Sequence, residues 1–416
     1  MLWFRRRPSP NGKVCCVVDV GTTKVCTLIG SPEDEDYFRI LGYGVSRSKG
    51  MRKAVVVDLK DVGDSVRESV RKAEADCGLR VTSAYIGITG GHVSSFNTRS
   101  TLAVPEGRSV EQSELKRLVG NVNDMRMSSE RELIHALPQF YKLDGQTGIK
   151  NPLGMHGTSL DADVHMVTAA ADAVRKLVKS VGKAGVTIED VVLEPLASGE
   201  AVLRPVERDV GVVVVDIGGG TTDIAVYKNG SIRHTAAIPV AGYQLTHDLA
   251  VGLNISFEKA EEFKVKRADL NKKPNVYPTS EMDLAVGSDK VVPYRKAMEI
   301  LQPRVEELLR LIWVELSGED LRKLAPAGIV LTGGTSKLPG LPEMAREMFN
   351  VPCRVGVPRN ITGQVRHLHD PAFATSVGLL FWGHKYAGQE LMRHHRPGPL
   401  TRLWLEVKRR WRGRIW

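Results

Sequence analysis

The 416-residue chain has no run of the roughly 20 consecutive apolar residues that a membrane-spanning helix requires, and its mean hydropathy is −0.16. Its first residues are not expected to form a secretory leader. Leu2, Trp3 and Phe4 precede Arg5, Arg6 and Arg7, whereas a secretory signal puts charge first and a longer apolar run after it. Cysteine is scarce and unpatterned. Cys15, Cys16, Cys26, Cys77 and Cys353 make an odd count with no CxxC pair, which argues against a disulfide framework and fits free thiols in a reducing cytosol. His367, His369 and Asp370, and the pair His394-His395, have no further ligand at metal spacing, so no metal centre is expected there. Acids are the minority charge, with 58 Lys+Arg against 48 Asp+Glu and a net +10. Six basic residues and one acid within Leu400–Trp416, plus Arg5–Arg7, supply most of that excess. The middle of the chain is therefore near neutral. No nucleic-acid footprint is expected there, and an anionic partner belongs to the chain's ends.

With 42% hydrophobic and 25% charged residues, the chain has the composition of a soluble protein with two or more cores. Residues 1–13 read as a basic tail. Val14–Asp19, Thr27–Ile29 and Ile40–Val45 read as strands, with Gly42-Tyr43-Gly44 as a turn, and Val62, Ser65, Val66, Val70 and Ala73 space a helix over 61–76. Residues 84–163 change texture. Strands Ser94–Val104 and His135–Leu143 flank a helix over 109–122, as in a compact α+β insert. A helix over 171–184 follows, and then a strand and helix that meet at Glu194-Pro195. The stretch from Asn254 to about Lys323 is charged and largely helical, 371–385 is a last helix, and the polar 386–398 is a linker.

Two places carry the same pattern. Asp19-Val20-Gly21-Thr22-Thr23-Lys24 ends one apolar strand. Asp216-Ile217-Gly218-Gly219-Gly220-Thr221-Thr222-Asp223 ends a run of five valines about two hundred residues later. Phosphates need N–H donors brought close together, which glycine turns allow, and the threonines add hydroxyl donors. Asp19 and Asp216 would repel phosphate directly but can hold magnesium through water. A pair of such turns suggests two lobes gripping one polyphosphate, with magnesium between the aspartates. A third loop, Leu331–Ser336, has the pair Gly333-Gly334 followed by Thr335 but no acid, which suits close backbone approach to a flat base or a sugar. Glu261 and Lys264 share a helical face at i, i+3, the spacing of an ordinary ion pair.

At the C-terminus, Leu400, Leu403, Trp404, Val407, Trp411 and Ile415 fall within an arc of about 120° on a helix. Arg402, Glu406, Arg409 and Arg412 lie opposite, and Lys408, Arg410 and Arg414 lie at the flanks, able to snorkel toward lipid phosphates. Such a helix over 399–416 is too charged to span a bilayer. The linker before it, its terminal position and its tryptophans argue against packing on the protein's own core and favour a place in the membrane interface, with a basic helix bound by a partner protein as the alternative.

The two Asp-x-Gly turns, the late Gly-Gly loop and two small-residue segments, Glu194–Gly199 and Phe373–Gly378, resemble the actin-type ATPase fold. Within it the chain most resembles the FtsA family of bacterial division proteins over residues 14–385. His135–Gln139, Gly148–Gly154, Val212–Ala225 and Arg233-His234 with Ile238-Pro239 carry that likeness. The resemblance implies an α/β, actin-like (ribonuclease H-like, duplicated) two-lobed ATPase fold with an inserted α+β subdomain and a C-terminal amphipathic helix. The first lobe would comprise 14–83 with 164–205 and 371–385, and the insert 84–163. The second lobe would comprise 206–245 with 324–370, and its outer subdomain 246–323. ATP and magnesium would bind between the lobes. Asp19 and Asp216 would manage the metal. Gly21, Thr22, Thr23, Lys24, Gly218, Gly219, Gly220, Thr221 and Thr222 would hold phosphates. Glu261 and Lys264 would contact ribose or base, and Gly333, Gly334 and Thr335 would flank the adenosine. Glu194 would orient water, for at most weak hydrolysis. The implied partners are the FtsZ C-terminal tail at 246–323, further copies in a filament, later division proteins, and anionic lipids at Leu400, Leu403, Trp404, Val407, Arg409, Arg410, Trp411 and Ile415. The implied place is the cytoplasmic face of the inner membrane at the septum. A PilM-like pilus-assembly protein, which should lack the terminal basic helix, or another actin-fold ATPase such as a sugar kinase or a heat-shock chaperone, is the alternative.

Overall fold

The computed structural model describes residues 14–386 except 35, 124–127, 273–283, 286–290, 317–319 and 364–365. The basic tail, the linker beyond 386 and the helix expected over 399–416 lie outside the described residues.

Strands β1 (Cys15–Val20), β2 (Lys24–Pro32) and β3 (Phe38–Arg47) form an antiparallel meander. Val17, Val18, Val25, Leu28 and Ile29 are wholly buried, as expected of strands covered on both faces. Helix α1 (Leu59–Cys77) starts at Asp58, whose carboxylate accepts from the Lys60 and Asp61 N–H groups, and stops at Gly78 in the left-handed region. It lies on β3 so closely that a Cβ at Gly44 would sit 2.0 Å from the Ser69 carbonyl oxygen. The expected turn at Gly42-Tyr43-Gly44 is therefore strand interior, and its glycines serve the approach of a helix rather than a reversal of the chain. β4 (Ser83–Ile88) pairs in parallel with β1.

The chain then builds a separate sheet from β5 (Val93–Ala103), β6 (Arg131–Leu143), β7 (Gln146–Ile149) and β8 (Ser159–Ala170), ordered β5-β8-β6-β7, with α2 (Gln112–Asn123) against it. This sheet spans Val93–Ala170, against an expected insert of 84–163, because residues 84–88 belong to the first sheet and β8 runs on past 163. The insert has its own core around Leu118, Leu160 and Met166, while Ile134, Leu137, Val167 and Ala169 at its base pack into the core of the first lobe. Helix α3 (Ala171–Lys183) and strand β9 (Thr187–Leu193), parallel to β4, complete the order β9-β4-β1-β2-β3.

Helix α4 (Glu194–Val202) leads into the second lobe. There β10 (Val212–Ile217), β11 (Thr222–Lys228) and β12 (Ser231–Ile238) repeat the meander. Helices α5 (Gly242–Leu253), α6 (Phe257–Lys266) and α7 (Tyr294–Leu316) pack into a second core through Leu249, Phe263, Tyr294 and Leu309. β13 (Ile329–Thr332) is parallel to β10. After α8 (Leu341–Phe349), β14 (Cys353–Val355) is parallel to β13, which gives β14-β13-β10-β11-β12. Both sheets thus share one strand order and one set of polarities, so the duplicated motif marks a duplicated topology. The short β15 (Ile361–Gly363) returns to pair with β3, and α9 (Ala374–Lys385) crosses α4 so closely that a Cβ at Gly378 would lie 1.7 Å from the Ala197 carbonyl oxygen.

Candidate functional site

The two glycine turns have one design. In the first, the Gly21 N–H donates to the Lys24 carbonyl at 3.0 Å; in the second, the Gly218 N–H donates to the Thr221 carbonyl at 3.0 Å. The turns meet across the lobes. A Cβ at Gly219 would lie 2.4 Å from Thr23 Cγ2, and one at Gly220 would lie 2.3 Å from Thr22 Oγ1. The start of α5 clamps the second turn: the Gly242 N–H donates to the Gly218 carbonyl at 3.1 Å, and the Tyr243 N–H to that of Gly219 at 2.7 Å. Thr335 Oγ1 also donates to the Gly218 carbonyl, at 2.8 Å. Gly333, with φ of 82°, presses on the same place, since its Cβ would stand 2.3 Å from Asp216 Oδ1. Gly334 has only Ala372 Cβ, at 3.7 Å, near its own.

The Thr-Gly-Gly after β13 has a counterpart that sequence reasoning missed. Thr89-Gly90-Gly91 follows β4, the equivalent strand of the first lobe. The repeated tripeptide was the signal that could have found it.

Buried carboxylates gather where the turns face each other. Ser376 Oγ donates to Asp19 Oδ2 at 2.5 Å, and Ser198 Oγ and Thr375 Oγ1 donate to Asp216 Oδ2 at 2.5 and 3.1 Å. These hydroxyls come from α4 and α9, so each crossing helix brings a serine to one aspartate. Asp223 accepts from Thr89 Oγ1 and, at 3.1 Å, from Thr221 Oγ1. Burial raises the pKa of Asp19 and Asp216, and pushes that of Asp223 up to about 8, with Asp216 adding to the last. Glu194 is half-buried by surface area yet enclosed by these acids. Burial first, then the charges of Asp19, Asp223 and Asp216, raise its pKa well above the carboxylate range.

Other expected groups are placed differently. Lys24 Nζ donates to the Ala372 carbonyl at 2.5 Å and lies 4.7 Å over the Phe373 ring. Thr22 Oγ1 accepts from the Ala54 N–H at 3.2 Å, and Thr222 Oγ1 donates to the Val240 carbonyl at 2.8 Å. The hydroxyls of Thr221 and Thr222 are thus engaged with Asp223 and Val240, not free as donors. Glu261 and Lys264 are more than a solvated pair: Lys264 is buried, and its Nζ donates to Glu261 Oε2 at 2.7 Å, Thr246 Oγ1 at 2.8 Å and the Gly242 carbonyl at 3.1 Å. Burial lowers the Lys264 pKa, and Glu261 opposes that shift. This cluster stands behind Gly242 and Thr335, on the second-lobe side of the turns.

Among the described residues no group of three or more His, Cys, Asp or Glu side chains forms a direct metal cage. The five cysteines are free. His369 Nδ1 faces the Pro358 carbonyl at 3.0 Å, and Asp370 pairs with Lys337 at 2.5 Å.

A Pseudomonas aeruginosa protein named cell division protein FtsA is 37% identical over 384 residues, which cover 90% of this chain and 90% of that one. The chain belongs to the FtsA family. The Escherichia coli K12 FtsA is 34% identical over 380 residues, covering 89% of this chain and 90% of its own length. The family model for cell division protein FtsA matches residues 213–378, and the model for the SHS2 domain inserted in FtsA matches 90–168. Among solved structures, the PilM-PilN type IV pilus biogenesis complex aligns at a TM-score of 0.65, with 16% identity over 89% of this chain and 98% of that one. MreB5 of Spiroplasma citri bound to AMPPNP aligns at 0.52, with 13% identity over 91% and 98%. At such identities these two show the actin-like fold, and the FtsA assignment stands over the PilM-like alternative.

Proposed function

We propose that this FtsA-family protein binds ATP with magnesium between its lobes, polymerises on the inner face of the cytoplasmic membrane, and tethers FtsZ filaments there during division. The observation that carries the nucleotide reading is the pair of identically bonded glycine turns facing each other over buried Asp19 and Asp216. The donor set suits the ligand. The glycines leave room that any Cβ would fill, and crowded carboxylates with raised pKa values favour a divalent cation, held through water and phosphate oxygens. Thr22, Thr23, Gly219 and Gly220 would present backbone donors to phosphates, while Gly21 and Gly218, whose N–H groups close the turns, would shape the cradle. Lys24 would exchange the Ala372 carbonyl for phosphate. Gly333, Gly334 and Thr335 would flank the adenosine, and Glu261 and Lys264 would hold the α5–α6 wall at the ribose or base. Magnesium would neutralise charge on the phosphates. Glu194 would orient water for slow hydrolysis.

The helix read over 399–416 would supply the membrane contact. One such helix binds reversibly, at about 1 kcal/mol per basic residue near an anionic surface, and a filament makes the binding firm through multivalency. Residues 246–323 would take the FtsZ tail, and the insert would take later division proteins. No described helix is long and apolar enough to cross a membrane. The test mixes full-length protein, anionic liposomes, ATP and an FtsZ tail peptide. Flotation, membrane-bound filaments and peptide recruitment are expected. A chain cut before residue 399 should still bind ATP but stop floating, and continued flotation would remove the helix from its role.

A further inference from the structure

Buried polar groups in native folds are almost always hydrogen-bonded, and His92 departs from that rule. Both of its ring nitrogens are buried without a partner among the described residues. The histidine lines a cavity of about 10 Å3, together with Glu194, Thr89 and Gly87 and apolar groups that include Val20, Val56 and Leu177. The Glu194 carboxyl belongs to the same lining, with the charges of Asp19, Asp223 and Asp216 around it. A buried water needs on the order of 10–15 Å3 and two or more polar contacts, and this cavity offers both.

The backbone fixes the two walls. A Cβ at Gly87 would lie 2.9 Å from Glu194 Cγ, so Gly87 gives the Glu194 side chain its place against β4. Gly90, with φ of 122°, folds the chain back until its own Cβ position is 2.9 Å from His92 Nδ1. The His92 carbonyl accepts from the Ala170 N–H at 3.2 Å and from Arg131 Nη2 at 3.3 Å, both from the insert.

We propose that His92 is a positioning residue that holds the Glu194 carboxyl through one bridging water, so that the insert, by gripping the His92 backbone, sets the orientation of Glu194. Burial and the nearby Arg131 keep the His92 pKa below its ordinary value. A neutral ring offers one donor and one acceptor, which suits a bridge to water. The consequence for turnover rests on the nucleotide function proposed above; the water bridge itself does not.

Two measurements on the full-length protein test this. A high-resolution crystal structure should show one water within hydrogen-bond reach of both a His92 ring nitrogen and the Glu194 carboxyl, and a dry cavity would overturn the proposal. Single-turnover release of the ATP γ-phosphate should fall about tenfold or more in His92→Ala, with binding of a fluorescent ATP analogue unchanged. His92→Gln should recover part of the rate, and Arg131→Ala should lose part of it. Equal rates in wild type and His92→Ala would refute the positioning role, and an unchanged rate in Arg131→Ala would refute the link to the insert. A wild-type chain that binds no ATP analogue would instead end the nucleotide proposal, and the crystallographic water alone would then decide on His92.

Discussion

At the scale of single residues, the sequence treats Gly333 and Gly334 as equals, and the structure separates them. Alanine at 333 would have to hold a positive φ with ψ of 166°, a region essentially reserved for glycine, at a cost on the order of 1–3 kcal/mol, and would thrust a methyl against the Asp216 carboxylate. Alanine at 334 meets only an ordinary contact with Ala372. Urea unfolding should therefore show Gly333→Ala clearly destabilised, with weakened nucleotide binding, and Gly334→Ala within about 0.5 kcal/mol of wild type. Similar losses in both variants would mean that the Gly333 turn is not held against Asp216 as described. Asp19, Asp216 and the glycines were legible because turn chemistry is local. Ser376 was not, because it is 357 residues from the Asp19 it supports, and no spacing rule reaches that far. Asp223 stood in view within the second motif, but only folding shows it sharing a site with Thr89.

Secondary-structure elements were legible where burial is continuous, as in the valine run of β10, and misread where two demands compete. β8 escaped notice because Asp161, Asp163 and His165 break up its apolar run in sequence, although Leu160, Ala162 and Val164 alternate with them on the other face and are buried. The same strand takes part in a seam with the second lobe. His165 Nδ1 lies 2.7 Å from Asn97 Oδ1 and its Nε2 lies 2.9 Å from Thr235 Oγ1, while Ser95, Asn97 and Gln139 donate to carbonyls of β12. Burial, aided by His234, pushes the His165 pKa down to about 3. The unfolded chain then takes up a proton below pH ~6.5 that the folded chain refuses, so stability is held above that pH and lost as the pH falls toward 3. His165→Asn removes the titration. Between pH 7 and 5 its unfolding free energy should slope less steeply than wild type, by up to about 1.4 kcal/mol per pH unit. An unchanged slope would show that His165 accepts the proton while the seam stays closed.

For the whole molecule, the duplication gives each lobe its own sheet, and the two lobes meet at the glycine turns. Gly219 is the sharpest probe of that contact, because its backbone is not left-handed and its obstacle belongs to the other lobe. An alanine there would put Cβ 2.4 Å from Thr23 Cγ2, while Thr23 Oγ1 and Cβ stay at 3.4 and 3.5 Å. Overpacking of this kind costs on the order of 1–3 kcal/mol, and the lobes can relieve it by parting. Gly219→Ala should therefore widen the molecule in solution scattering and reduce the thermal shift given by ATP, while each lobe stays folded. Thr23→Ser deletes the offending methyl and keeps the hydroxyl, so the double variant should return toward the wild-type envelope and the wild-type shift. The coupling energy read from that cycle should be about 1 kcal/mol or more. Strict additivity would mean that the two turns do not meet, and the polyphosphate would then have to be gripped from one lobe alone.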